Sequence, residues 1–388
     1  MSILIVIFII SFLIMIHELG HFLLAKKNKI NVEEFGFGYP PKLLKLFEWK
    51  GTAFTLNAIP FGGFVRLEGE DGPKQEEKKE KQLKKKLSKK QLLIKKNGSA
   101  FYEKSKKQRI AVILAGPIIN FLYGVLAFSI IFSFIGIPVF LEGQARIEQV
   151  MPDTPAAQAN LPTNVNIKAI KFGDEFHSIN NITEAAEVID KYRGNRVTLV
   201  TSGPCYELSC EDANQEFDVY LRTIEETPEG QGSMGIVFAE AYFKFYPILE
   251  RPFRGIFYGL TEAVMMGAMI IMFLSKMLLD IFLGAGIPQD IAGPVGIVHQ
   301  AHKVDLAASG WVSILTFSAM LSINLAIMNL LPIPALDGGR ALFIFLEKML
   351  GKKRIEKIEN FANYGGFALL FALLILVTIK DIWGIFNG

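Results

Sequence analysis

Between residues 3 and 25 the chain is apolar almost without a break, and the interruptions are chiefly His17, Glu18 and His21. A run of that length crosses a bilayer, which takes roughly 20 helical residues. It has no basic n-region and no small-residue cleavage pattern after it, so it reads as an uncleaved span rather than a secretory signal. Ionisable groups at membrane depth cost about 2.5 kcal/mol each or more, and they are kept where function needs them. On a helix His17 and His21 share a face one turn apart and offer two imidazoles to one metal ion. Glu18 then stands beside a water on that metal and can take its proton. In a soluble helix the same spacing is often no more than solvated polar residues; within a span that reading is unavailable.

With 388 residues, 51% of them hydrophobic, and a mean hydropathy of +0.33, the chain is too apolar for a soluble protein and too charged for spans alone. The pattern predicts a polytopic α-helical membrane protein with soluble pieces. Span 1 (1–25) is followed by a loop, 26–108, with membrane-proximal strands over 33–70 and a lysine-rich linker over 74–107. Span 2 (109–137) leads to a small α+β domain over 140–228, and residues 240–310 are expected to carry amphipathic or re-entrant helices on the outer side. Span 3 (311–347), a basic loop (348–360) and span 4 (361–385) complete the chain. Positive loops stay in the cytoplasm, so the lysine-rich linker and the cluster Lys348, Lys352, Lys353, Arg354 and Lys357 are both expected inside. Residues 255–283 are apolar enough to cross, yet these charges leave them no net crossing. They read as an amphipathic or re-entrant helix at the outer surface. The expectation is four spans with both termini outside, where hydropathy alone counts five. The lysine run reads as a solvated linker near anionic lipid, not a nucleic-acid site. The glycine-punctuated strands, Gly36-Phe37-Gly38 and Gly62-Gly63-Phe64-Val65, suit either an edge that pairs with an extended peptide or a structural hairpin.

Two histidines do not complete a catalytic zinc site, which usually has three protein ligands and an open position. His177, His299 and His302 map outside the membrane, away from His17. Asp337, in the run from Asn329 to Gly338, ends the third span at the same depth as His21 under the four-span count. Pro332 and Pro334 break the helix there. The plainer reading of Asp337 is an N-cap for the helix over 338–350. Asn120, near Ala115-Gly116-Pro117, reads as a structural hydrogen-bonding group between helices. Cys205 and Cys210, the only two cysteines, suit a short disulfide loop in an oxidising compartment.

These motifs resemble the site-2 protease family of intramembrane zinc metalloproteases, bacterial RseP type. They are HELGH at 17–21, Gly36-Phe37-Gly38, Phe61 to Val65, Ala115-Gly116-Pro117 with Asn120-Phe121, Gly293 to Ile297, and NxxPxPxxDG from Asn329 to Gly338. The resemblance implies Zn²⁺ held by His17, His21 and Asp337, with Glu18 as catalytic base and Asn329, less strongly Asn324, assisting the oxyanion or holding substrate. It implies that the 140–228 domain is a single PDZ domain outside the cytoplasm of a bacterial inner membrane. Two departures accompany it: members of the RseP type often carry two PDZ domains in tandem where this insert is long enough for one, and within it Asn160 stands where the family has glycine and residues 171–178 look inserted. The implied substrates are single-span membrane proteins, such as an anti-sigma factor or a remnant signal peptide. Rival readings are an inert scaffold that binds through its PDZ domain, and a zinc transporter. A transporter would need more intramembrane ligands than the one cluster found.

Overall fold

The structure is a computed structural model that describes residues 2–70, 100–228, 230–283, 293–303, 305–306 and 308–387. Most of the predicted lysine-rich linker falls outside those residues. Two compact units emerge: residues 1–133 with 252–388, and residues 134–251.

Helix α1 (Ser2–Lys27) is apolar on every side and ends on Lys26 and Lys27. Val6, Ile9, Leu13, His17 and Gly20 recur every three or four residues and are buried, while Leu4, Phe8, Leu19 and Leu23 are exposed. Exposed large apolar groups on such a helix are what lipid contact requires. Strands β1 (Val32–Trp49) and β2 (Thr52–Leu67) meet at a two-residue turn, Lys50-Gly51, with φ of 48° and 76°. Positive φ at both central residues gives the turn the twist a hairpin needs. Each strand bends on itself. Residues 34–37 pair with 53–56 on one side and with 63–66 on the other, while 45–49 pair back onto 52–55. The result is a small four-segment sheet whose edges are 42–49 and 63–67. Glycines and prolines within the strands are absorbed as irregularities of register. Helix α2 (Lys106–Ile135) runs antiparallel to α1: Phe12 packs on Tyr123, and Gly20 lies against the Ala115 carbonyl. A Cβ on Gly20 would come within 2.4 Å of that oxygen, so the backbones touch.

The second unit is α+β, and wider than the predicted 140–228 because its first and last strands close on it. Its elements are β3 (Ile137–Phe140), β4 (Ile147–Val150), α3 (Pro155–Gln158), β5 (Val165–Phe172), β6 (Glu175–Ser178), α4 (Ile182–Lys191), β7 (Arg196–Tyr206), β8 (Ser209–Cys210), β9 (Gln215–Tyr220), β10 (Ile236–Phe238) and β11 (Ala241–Lys244). The central sheet runs β6-β5-β7, with β8 and β9 both on β7; β10 pairs β4 and β11 pairs β3. Thr154 and Asn181 cap the two helices through their side chains. Ile147, Ile167, Ile170, Leu199, Val219 and Leu221 form the core. Residues 171–178 make the β5–β6 hairpin. Cys205 and Cys210 are joined by a disulfide across β7 and β8.

Helix α5 (Arg251–Phe282) is unbroken, so it is not a re-entrant helix-turn-helix within its own length. It packs antiparallel on α2 through small residues: Gly255 against Ser133, Gly259 against Ser129. Farther along, its Gly267 touches Ile327. Helix α6 (Pro294–Lys303) lies on the first half of α1 through Ile297, Val298 and Ala301. The predicted third span is two helices: α7 (Gly310–Leu330) and α8 (Asp337–Leu350). The break spans the two prolines, which lack the amide a continuous helix uses. Helix α7 packs antiparallel to α2, since Tyr123 meets Ser318 and Asn120 meets Ser322. Helix α9 (Lys352–Asn387) runs from Asn363, at the α7–α8 break, to Asp381, which accepts the amides of Gly293 and Gly296 at the start of α6. Helices α1, α2, α5, α7 and α9 each contain a stretch long and apolar enough to cross a membrane.

Candidate metal centre

His17 and His21 lie on the buried side of α1 where it meets α2 and the start of α8. His17 Nε2 is 2.9 Å from Asp337 Oδ2, His21 Nε2 is 3.4 Å from the same oxygen, and the two nitrogens are 3.1 Å apart. Three donors around a tetrahedral zinc, with bonds near 2.0–2.1 Å, stand about 3.3 Å from one another. The triangle therefore has the size and the N, N, O chemistry of a zinc site, and the chain segments that supply it are 320 residues apart. Among the described residues it is the only cluster of three such side chains with donor atoms this close.

Local sequence explains how each member arrives. Asp337 begins α8 in the first turn after the proline break. A Cβ on Gly338 would be 2.3 Å from the Leu330 and Leu331 carbonyls, and one on Gly339 would be 2.1 Å from that of Ile333. Only glycine lets α8 start this tightly against the end of α7. Asn363 of α9 accepts the Ala335 amide at 3.0 Å, where φ is +73°. This supporting asparagine was not singled out in the sequence, having no local motif around it. On the other side of the site Gly116 of α2 faces both imidazoles. Near the start of α2, Arg109 forms a buried two-pronged ion pair with Glu347 at 2.8 and 2.6 Å, tying α2 to α8.

Glu18 points to the sheet edge: its Oε2 accepts the Val65 amide at 2.9 Å. Gly62 and Gly63 bring that edge onto Ile14 and Met15 of α1; a Cβ on Gly63 would be 2.3 Å from the Met15 sulfur. A cavity of about 200 Å³ is lined by His17, Glu18, His21, Val65, Asn329 and Asp337, with Glu70 and Arg340 also on its wall. Arg340 Nη1 donates to Glu70 Oε1 at 2.6 Å. Asn329 is thus at the site, but Asn324 is not. It is exposed and absent from the cavity wall, because five helical positions turn it about 140° away from Asn329. His177 is in the second unit, hydrogen-bonded to Tyr192.

Comparison with known proteins adds an independent line. The model of peptidase family M50 matches residues 5–373. The chain is 29% identical to the zinc metalloprotease RasP of Oceanobacillus iheyensis, over 98% of this chain and 99% of that protein. It is also 29% identical to the regulator of sigma-W protease RasP of Bacillus subtilis, over 98% of each.

Proposed function

Because the chain belongs to peptidase family M50, we propose that His17, His21 and Asp337 hold its zinc and that Glu18 moves the protons of peptide hydrolysis. The protein is a membrane zinc metalloprotease of the site-2 type, and its activity is regulated intramembrane proteolysis. One observation carries the residue assignment: two imidazole nitrogens and a carboxylate oxygen, from opposite ends of the chain, converge within 3.4 Å beside Glu18 in a single cavity.

Zinc held by His17, His21 and Asp337 would supply Lewis acidity there, to acidify a water and polarise the scissile carbonyl. The chain's own residues do the rest. Glu18 accepts the water's proton and passes it to the leaving amine. Val65 holds one Glu18 oxygen and so aims the other into the cavity. Asn329 donates its amide to the developing oxyanion or to the substrate backbone. A helical substrate hides its carbonyls in its own hydrogen bonds, so it has to be drawn out. The 63–67 edge, beside the site, offers strand pairing to the extended segment.

The substrates are membrane proteins; single-span anti-sigma factors or remnant signal peptides are the class we favour, in line with the name of the Bacillus subtilis relative. We read the membrane topology as four net crossings with both termini outside a bacterial inner membrane. The parallel course of α1 and α7, each antiparallel to α2, supports it, because α5 and α6 then bring the chain back to the side where α2 ended. The second unit, outside, is read as a single PDZ domain.

The test is cleavage of a single-span model substrate in proteoliposomes by the wild-type chain, by Glu18→Gln, and by the wild-type chain with a zinc chelator. Loss of cleavage in the last two supports the assignment. Cleavage indifferent to both changes refutes it, and a scaffold whose partners bind equally well to Glu18→Gln would replace it.

A further inference from the structure

Four lysines stand where α1 ends and where the β1–β2 hairpin turns: Lys26, Lys27, Lys29 and Lys50. Two of them occupy backbone positions that lysine disfavours. At the end of α1 the Ile30 amide reaches back to the Ala25 carbonyl at 2.9 Å, and Lys29 takes the left-handed position of that closure, with φ of 56°. At the hairpin turn Lys50 precedes Gly51 with φ of 48°. Glycine or asparagine is the usual occupant of both places, so a lysine there is kept against the preference of the backbone.

Lys26 and Lys50 are held together although both are cations. Lys26 Nζ donates to the Lys50 carbonyl at 3.0 Å. The Lys26 ammonium is 5.8 Å from the Phe22 ring centroid, the Lys50 ammonium is 4.6 Å over the Trp49 ring, and those two rings are 6.2 Å apart. The two charges thus flank one aromatic pair. Other lysines of the hairpin are paired with acids, Lys42 with Glu34 and Lys45 with Glu48. Among the described residues no carboxylate oxygen lies within 4 Å of Lys26, Lys27, Lys29 or Lys50. Two converging cations without an acid are complementary to an anion. The surroundings say of which kind. Helix α1 is long and apolar enough to cross a bilayer, and the pair stands at its last turn. Leu23, one turn before Lys26, and Trp49, next to Lys50, are each 46% exposed. An aromatic side chain, an exposed leucine and lysines at the end of a span match the headgroup boundary, where acyl chains meet phosphates.

We propose that Lys26 and Lys50 bind the phosphate of an anionic phospholipid at the Lys27 end of α1, with Trp49 and Leu23 against its first acyl carbons. Lys27 and Lys29 add positive charge around it. A zwitterionic lipid carries its own ammonium beside the phosphate and gains less from two lysines than a lipid with net negative charge. Free phosphate would gain the charges but would leave Trp49 and Leu23 uncovered, and only a lipid satisfies both. The bound lipid fixes the hairpin's turn to the bilayer surface, and through β1 and β2 the sheet that carries the 63–67 edge. The site uses none of the residues of the metal centre and stands whether or not His17, His21 and Asp337 hold zinc.

The experiment uses the full-length protein in a neutral detergent and reads lipid binding by native mass spectrometry, with dioleoyl phosphatidylglycerol and dioleoyl phosphatidylcholine as the probes. Wild type is expected to hold one phosphatidylglycerol about 30-fold more tightly than phosphatidylcholine, from about fivefold for each lysine beside the phosphate. Lys26→Gln and Lys50→Asn are each expected to lose about fivefold of that preference, and the double variant all of it. Asparagine suits a left-handed turn position better than lysine, so Lys50→Asn is expected to melt no earlier than wild type while binding the lipid less. A purely structural Lys50 predicts no change in lipid preference. Lys104→Gln with Lys107→Gln removes the same charge around the start of α2 and is expected to leave the preference within about twofold of wild type, as distant sites do. Equal affinity of wild type for the two lipids, an unchanged preference in the Lys26 and Lys50 double variant, or an equal loss in the Lys104 and Lys107 pair overturns the proposal. So does displacement of phosphatidylglycerol by excess inorganic phosphate, which would mark a site for the free anion.

Discussion

Replacing Gly116 with alanine tests the centre with the smallest perturbation. The added methyl would stand 2.5 Å from His21 Nε2 and 2.6 Å from His17 Nε2. Comfortable contact is about 3.5 Å, so roughly 1 Å of overlap must be relieved against both rings. Retreat of α2 is resisted by its ties to α8 through Arg109–Glu347 and to α7 through Ser322 on the Asn120 carbonyl. The rings have to move, and metal–ligand bonds tolerate only about 0.2 Å. At least one imidazole then leaves the donor triangle. Loss of an outer partner alone costs about 10–100-fold in affinity, so a lost ligand costs on the order of 100-fold or more, equivalent to about 2.7 kcal/mol. Overpacking also lowers stability by about 1–3 kcal/mol, and a control separates the two effects. In Gly124→Ala the methyl meets the end of the Ile323 side chain at 2.4 Å, on the same helix but away from the histidines. Both variants are expected to melt earlier, and only Gly116→Ala to lose zinc, read as metal per chain by mass spectrometry after dialysis. Gly116→Ala holding one zinc with wild-type affinity would falsify the proposed donor geometry.

Glu18→Gln is expected to keep its zinc while cleaving at least about 100-fold more slowly, the usual contribution of a proton-transfer group; a parallel loss of metal would show that Glu18 is structural. Asn329→Ala is expected to cut kcat by about 100-fold or more with zinc unchanged, while Asn324→Ala, on the exposed side of α7, leaves turnover as it was. Arg109→Met leaves the buried Glu347 carboxylate only the half-exposed Lys106 ammonium at 3.9 Å and is expected to cost about 3 kcal/mol in thermal unfolding. Much of that loss should return in the double variant Arg109→Met with Glu347→Leu, and a single variant as stable as wild type would show that the pair is not holding α2 to α8.

What the sequence made legible was chemistry at fixed spacing. HELGH announces itself because one helical turn separates the imidazoles, and the proline break before Asp337 is visible because proline cannot continue a helix. Asn363 and the pairing of Arg109 with Glu347 were not legible. Each partner acts from another helix, at a separation of 28 residues and 238 residues respectively, and nothing local to either marks it. The four-segment sheet was legible in its glycines and alternation but not in its pairing, since a strand that bends on itself looks like one strand or two from its residues alone. Asn324 and Asn329 looked interchangeable by type and separate only when the helical phase of α7 is known.

Topology occupied a middle ground, because hydropathy and charge disagreed over residues 255–283. The direction of the helices bears on that disagreement. Asp337 can reach His17 only if the chain arrives at the end of α7 at the same depth as the end of α1, and this demands that α1 and α7 run the same way. They do, each antiparallel to α2. Whatever depth α5 reaches along α2, the chain between α2 and α7 must therefore begin and end on one side of the bundle. The constraint comes from the donor triangle itself: a single crossing by α5 would turn α7 over and carry Asp337 about 30 Å from the imidazoles, the thickness of a bilayer core.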